Sequence, residues 1–179
     1  MPRPFLAALF LSLILPVLGA AAPAAAETRV ACPSLAQAIP VGACPSAEEI
    51  KAMFRATCGV EQNPNARNPK PCDTLAAFAE TKDFQLWEVE TPDGVYLDYL
   101  GCGLEPAQVR DAAVRSVRLM KSGTMTTVAC DYGGEIIFGL RRKGVCALPD
   151  GRQPTLLDGD VRMDCPADGP CWVTCPDAP

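Results

Sequence analysis

The sequence predicts an α+β fold: a mainly antiparallel sheet of five to seven strands, laid out as a hairpin meander, with two or three short helices from the N-terminal half on one face and disulfides stapling the whole. Three observations predict it. Two stretches place strand-type residues on either side of a glycine-bearing turn, one stretch opens with a helix capping box, and ten cysteines, an even number, lie beyond an N-terminal export signal.

That signal is read from Arg3, the apolar run Phe5 to Leu18 and Ala24-Ala25-Ala26, the three parts of a secretory leader. Cleavage is expected after Ala26, because a cut after Ala22 would leave Pro23 as the first residue. The apolar run is short for a membrane span, so the chain is expected not to span a membrane. Residues 1–26 are therefore set apart as the signal peptide, and 27–179 are read as a single disulfide-rich α+β domain with a turn-rich tail from about residue 147. Losing residues 1–26 removes Arg3 and no acid, which moves the formal charge from −5 to −6. Such an acidic chain is not expected to bind nucleic acid.

The elements follow in order. Ser46-Ala47-Glu48-Glu49 is a capping box, and Ile50, Met53 and Phe54 continue it at helical spacing, which predicts an amphipathic helix to about Thr57. Residues 59–71 hold three prolines and three asparagines and read as a loop. Asp73 is placed as the N-cap of a short helix, Thr74 to about Lys82, with Leu75, Phe78 and Ala79 on its apolar side. Phe84 to Thr91 and Gly94 to Leu100 form a hairpin around Pro92-Asp93-Gly94, with Trp87 and Val89 on one face and Val95, Leu97 and Tyr99 aligned with them. Pro106 starts a third helix of two or three turns, which ends before the strand VRLMK at Val117. The clearest hairpin is Thr124 to Cys146, turning at Gly133-Gly134.

The cysteines at 32, 44, 58, 72, 102, 130, 146, 165, 171 and 175 all follow the leader, which argues for disulfides and an oxidising compartment, periplasmic or secreted. Short closures predict Cys58 with Cys72, worth about 3 kcal/mol, and Cys32 with Cys44. Cys171 and Cys175, if extended, lie about 13 Å apart and need separate partners. Cys130 is expected to avoid Cys146, which would lie opposite Arg141 in a third strand, and to reach Cys102 or a tail cysteine instead.

Catalytic and metal signals are weak. The chain has no histidine, which removes Ser-His and Cys-His mechanisms, and it shows no paired C-x-x-C spacing, so no metal and no cofactor is expected. Asp158-Gly159-Asp160 with Asp164 resembles part of a calcium loop without its later glutamate, and a turn followed by a strand explains it as well. Glu88 and Glu90 point to one face about 7 Å apart, a spacing known from glycosidases and equally that of a solvated sheet face. Arg141, Arg142 and Lys143 concentrate positive charge at a turn, and Trp172 sits between two tail cysteines. These four are the candidate binding residues. The sequence thus points to an exported, disulfide-stabilised, non-enzymatic binding protein of inhibitor, immunity or envelope-assembly type, whose partner is another protein or an envelope component. The alternative is a carboxylate-based periplasmic hydrolase acting on a glycan through Glu88 and Glu90.

Overall fold

The structure, a computed structural model, describes residues 27–58, 72–155, 159–167 and 169–177. The signal-peptide assignment for 1–26, the loop at 59–71 and Asp158 lie outside the described residues. The strands are β1 (Glu27–Ala31), β2 (Ile39–Val41), β3 (Phe84–Thr91), β4 (Gly94–Gly101), β5 (Ser116–Ser122), β6 (Met125–Gly133), β7 (Ile136–Lys143), β8 (Val161–Asp164) and β9 (Trp172–Pro176). The helices are α1 (Ala47–Cys58), α2 (Leu75–Glu80) and α3 (Pro106–Arg110), with a 3-10 turn at Leu35–Gln37. Seven strands form one antiparallel sheet in the order β2-β3-β4-β7-β6-β5-β8, and β1 pairs with β9 in a separate ribbon. The α+β, disulfide-stapled architecture is thus present.

Local chemistry explains the element boundaries. Glu49 accepts the Ser46 backbone N–H at 2.7 Å while the Ser46 hydroxyl accepts the Glu49 N–H at 3.3 Å, which closes the capping box of α1 and holds the Glu49 carboxyl below its usual range. Thr74, not Asp73, caps α2: its hydroxyl accepts the Ala77 N–H at 3.0 Å. The helix α3 is a single short segment, because its C-cap Asp111 closes it immediately after Arg110.

The central hairpin turns one residue later than its glycines suggest. Gly134 and Glu135, at φ 60° and 68°, are the two turn residues between the paired Gly133 and Ile136. Gly133, at φ 80°, belongs instead to a bulge at Tyr132, where its N–H donates to the Asp131 carboxylate at 2.8 Å. Cys130 therefore faces Phe138 rather than Ile137, and it shares the buried face with Val128 as expected.

The core lies between the inner face of the large sheet and the ribbon. Trp87, Tyr96, Leu100, Val117, Leu119, Val128 and Phe138 from the sheet meet Val30 and Val173 from the ribbon, with Leu35 and Val109 completing the cover. The inner face is thus closed by a second β layer with α3, whereas α1 contributes no buried residue and packs on α2 through Phe54 and Phe78, their rings 5.4 Å apart. Tyr96 donates its hydroxyl to the Ala31 carbonyl at 3.0 Å and Tyr132 to that of Pro33 at 2.6 Å, so two buried phenols tie the layers, and burial raises the pKa of both.

Five disulfides complete the frame: Cys32–Cys130, Cys44–Cys102, Cys58–Cys72, Cys146–Cys175 and Cys165–Cys171. Cys58 pairs with Cys72 as predicted, and Cys130 avoids Cys146. The expected Cys32–Cys44 bridge does not form, nor does Cys130 reach Cys102 or the tail. The segment after Cys32 carries β2 to the outer edge of β3, which takes Cys44 to the β3–β4 end, while Cys32 stays in the ribbon stacked above β6. No third meander strand follows β7. The chain leaves the sheet at Gly144, and Ala147 bonds Thr174 beside β9, which delivers Cys146 to Cys175. Among the described residues no helix is long and apolar enough to cross a membrane.

Candidate functional site

The candidate site is the outer face of the large sheet, and hairpin register decides its composition. Thr91 pairs with Gly94, leaving Pro92 and Asp93 as a two-residue loop. That register aligns Val89 with Tyr96 and Trp87 with Asp98. Tyr96, Asp98 and Leu100 therefore face the core, and Val95, Leu97 and Tyr99 face out, the reverse of the alignment read from the sequence. Successive side chains alternate strictly, so one step of register moves the whole set.

Among the described residues the large hydrophobic side chains that stay exposed are Ile39, Val41, Phe84, Val95, Leu97 and Tyr99, and all six lie on this outer face. Tyr99 is 64% exposed and Ile39 51%, so these are presented side chains rather than core margins. Phe84 and Tyr99 meet edge to face, 5.4 Å between centroids, which stiffens one end of the patch. One level can be followed through all seven strands: Ile39, Glu88, Leu97, Gly139, Ala129, Arg118 and Arg162 are successive cross-strand neighbours. Gly139 lacks a side chain there, and a depression of about 420 Å³ opens between Leu97, Val95, Thr127 and Arg141.

Charge is divided across this face. Glu88 and Glu90 stand on β3, beside a smaller depression shared with Gln37 and Ile39. Arg141 and Lys143 stand on β7, two strands away. None of these four has an ion-pair or hydrogen-bond partner among the described residues. Arg118 and Arg162 farther along are partly neutralised by Asp160 at 3.3 Å and Asp131 at 3.5 Å.

The three basic residues at 141–143 do not form one cluster. Strand alternation turns Arg142 to the opposite side, where its Nη1 donates to the Asp93 carbonyl at 2.9 Å and its Nε is buried without a partner. Trp172 is also remote: it lies on the ribbon, half-buried, with the Arg29 guanidinium 4.4 Å from its ring centre, while its neighbours Cys171 and Val173 fill the core. The structure therefore unites Arg141 and Lys143 with the apolar patch and separates Arg142 and Trp172 from it. Asp160 and Asp164 both lie near arginines, and no cluster of metal-ligating side chains occurs among the described residues.

The seam between β4 and β7 carries one further polar group. Their ladder registers only Leu97 with Gly139, and the Asp98 carboxylate takes over beyond it, accepting the Ile137 N–H at 2.6 Å and the Tyr99 N–H at 2.8 Å. Burial pushes this carboxyl up to about 6, outweighing the two hydrogen bonds that favour its charge. Sequence reasoning passed over Asp98, whose only signal was an acid amid the apolar residues of a strand.

Compared with protein-family models, with curated proteins and with solved structures, the chain matches none of them.

Proposed function

We propose that this chain is an exported, non-catalytic binding protein that docks another protein on the outer face of its seven-stranded sheet. The observation that carries the reading is that the six large hydrophobic residues exposed among the described residues gather on that single face. Scattered apolar residues are ordinary on a protein surface, but a contiguous patch is a mark of an interaction site. The opposite face is already occupied by the ribbon, so the patch is not surplus core. Five disulfides suit an exported protein in an oxidising compartment, and they hold the face rigid at little entropic cost to association. Arg141 and Lys143 supply a charged border, which favours specificity and encounter more than affinity.

A photo-crosslinking residue in place of Tyr99 tests this in the exporting cell. Covalent adducts to protein are expected from that position and not from Lys51 on α1; equal labelling at both, or none at Tyr99, would remove the reading. Glu88 and Glu90 share a depression, which keeps glycan hydrolysis as the second reading. Glu90 is exposed on an open face with no wall to exclude water, which favours the binding reading over it. Absence of glycan cleavage by the wild-type chain, or cleavage undiminished in E88Q and E90Q variants, would eliminate this carboxylate pair as a hydrolase centre.

A further inference from the structure

The charge pattern of the outer face names an occupant, and the inference rests on the docking role proposed above. We infer that the face is closed by a second copy of this chain, in an isologous sheet-on-sheet dimer whose two-fold axis runs along β4.

The argument is one of self-complementarity. A two-fold axis lying between two stacked sheets and parallel to their strands exchanges left and right across the axis, while keeping each residue at its own level along the strands. Placed over β4, it sets β3 of one copy above β7 of the other. Glu90 pairs with Val95, and the β4–β7 register brings Val95 level with Arg141, because Leu97 opposes Gly139 two residues on. Glu90 of each copy then stands opposite Arg141 of the other, and the contact occurs twice. An axis perpendicular to the strands would instead leave β3 above β3, with glutamates facing glutamates. Charge therefore selects the first arrangement.

The apolar residues obey the same operation. Val95, Leu97 and Tyr99 lie on the axis strand and meet their own copies at the centre, where a docked interface concentrates its binding energy. The same operation carries Leu86 over Ile137, Ile39 over Ala129 and Val41 over Asp131, whose carboxylate is held by the Gly133 N–H and Arg162. The depression at Gly139 lies opposite Glu88, which gives that side chain room in the arrangement. With the axis on β4, the strands β2, β3, β4, β7 and β6 overlap their counterparts; five strands at about 4.8 Å spacing and three to four side-chain levels about 7 Å apart give a shared face of about 500–700 Å². That is at the lower end of the range around the roughly 800 Å² that each partner contributes to a standard interface, consistent with a dimer of micromolar affinity. Aligned sheets pack about 30° apart, a rotation the two-fold accommodates.

The test is sedimentation equilibrium on the full exported chain with its disulfides intact. A dimer is expected at micromolar concentration. E90R places two cations opposite each other and R141E two anions, so each is expected to raise the dissociation constant by about tenfold or more, and the double variant E90R/R141E to return it to within about threefold of the original. A chain that stays monomeric at about 0.5 mM overturns the second copy. A dimer in which the double variant is as weak as the worse single variant overturns the axis. The Tyr99 crosslink separates the two levels of inference. An adduct of twice the chain mass supports the second copy, an adduct with a different protein refutes it while the docking face stands, and no adduct refutes both.

Discussion

Removing the Cys32–Cys130 bridge, as C32A/C130A, is the perturbation whose cost the fold lets one calculate. The two cysteines are 98 residues apart, and a loop of that length taken alone gives about 4.7 kcal/mol of lost closure entropy. Cys44–Cys102 is nested inside it, however, and short-circuits the path. The chain then runs from Cys32 to Cys44, across the bridge and from Cys102 to Cys130, about 42 residues, which lowers the entropic part to about 4 kcal/mol. Truncating buried Cys130 and half-buried Cys32 adds about 1 kcal/mol, for a total near 5. The control is C165A/C171A, whose cysteines are only 6 residues apart: about 2.2 kcal/mol of entropy and about 1 from buried Cys171. The assay is guanidinium unfolding followed by fluorescence, in which Trp87 reports the large sheet and Trp172 the ribbon. Peptide mapping without reduction checks that the four remaining bridges are intact. If the control costs as much as C32A/C130A, or if the latter costs less than about 2 kcal/mol, the picture of two layers held by a long closure is refuted.

Three further outcomes follow from single residues. The folded pKa of Asp98 is raised to about 6 from 3.8, so its protonated form favours folding: the Asp98 contribution to stability should be full below about pH 4 and fall by about 1 kcal/mol, after allowance for partial exposure, as pH rises to about 6; D98N, whose amide oxygen still accepts from Ile137, should lack that decline, and a wild-type minus D98N difference that rises over this range would contradict it. R142M removes a guanidinium whose Nε is buried without a partner and should leave the unfolding midpoint unchanged or higher, in contrast to a loss above about 2 kcal/mol if the bond to Asp93 were essential. G133A should cost about 1 kcal/mol, because φ is 80° and an added Cβ would lie 2.6 Å from the Arg115 guanidinium carbon, whereas G139A, meeting Thr127 Cγ2 at 3.6 Å and the Leu97 carbonyl oxygen at 3.9 Å in ordinary contact, should be near neutral in thermal melts; equal effects would refute the bulge geometry.

The sequence by itself determined what depends on neighbours along the chain. Both hairpins were legible because Pro92-Asp93-Gly94 and the glycines at 133 and 134 are turn chemistry, and α1 was legible from Ser46 and Glu49 because a capping box acts within four residues. Cys58–Cys72 was legible for the same reason, as a short closure of a loop that cannot order itself. Tertiary structure decided everything that hinges on stacking and on single-residue register. The bulge at Tyr132 moved the pairing of Cys130 from Ile137 to Phe138, and the two-residue loop at Pro92-Asp93 put Tyr96 inside and Tyr99 outside, a choice that local propensity leaves open because both faces of β4 carry apolar residues. Cys32 found Cys130 only because the β1–β9 ribbon lies over β6, a contact across 98 residues that no local pattern encodes. The separation of Arg142 from Arg141 and Lys143 has the same origin: adjacent residues in a strand point to opposite faces, so a run of like charges becomes a cluster only where the backbone is not extended.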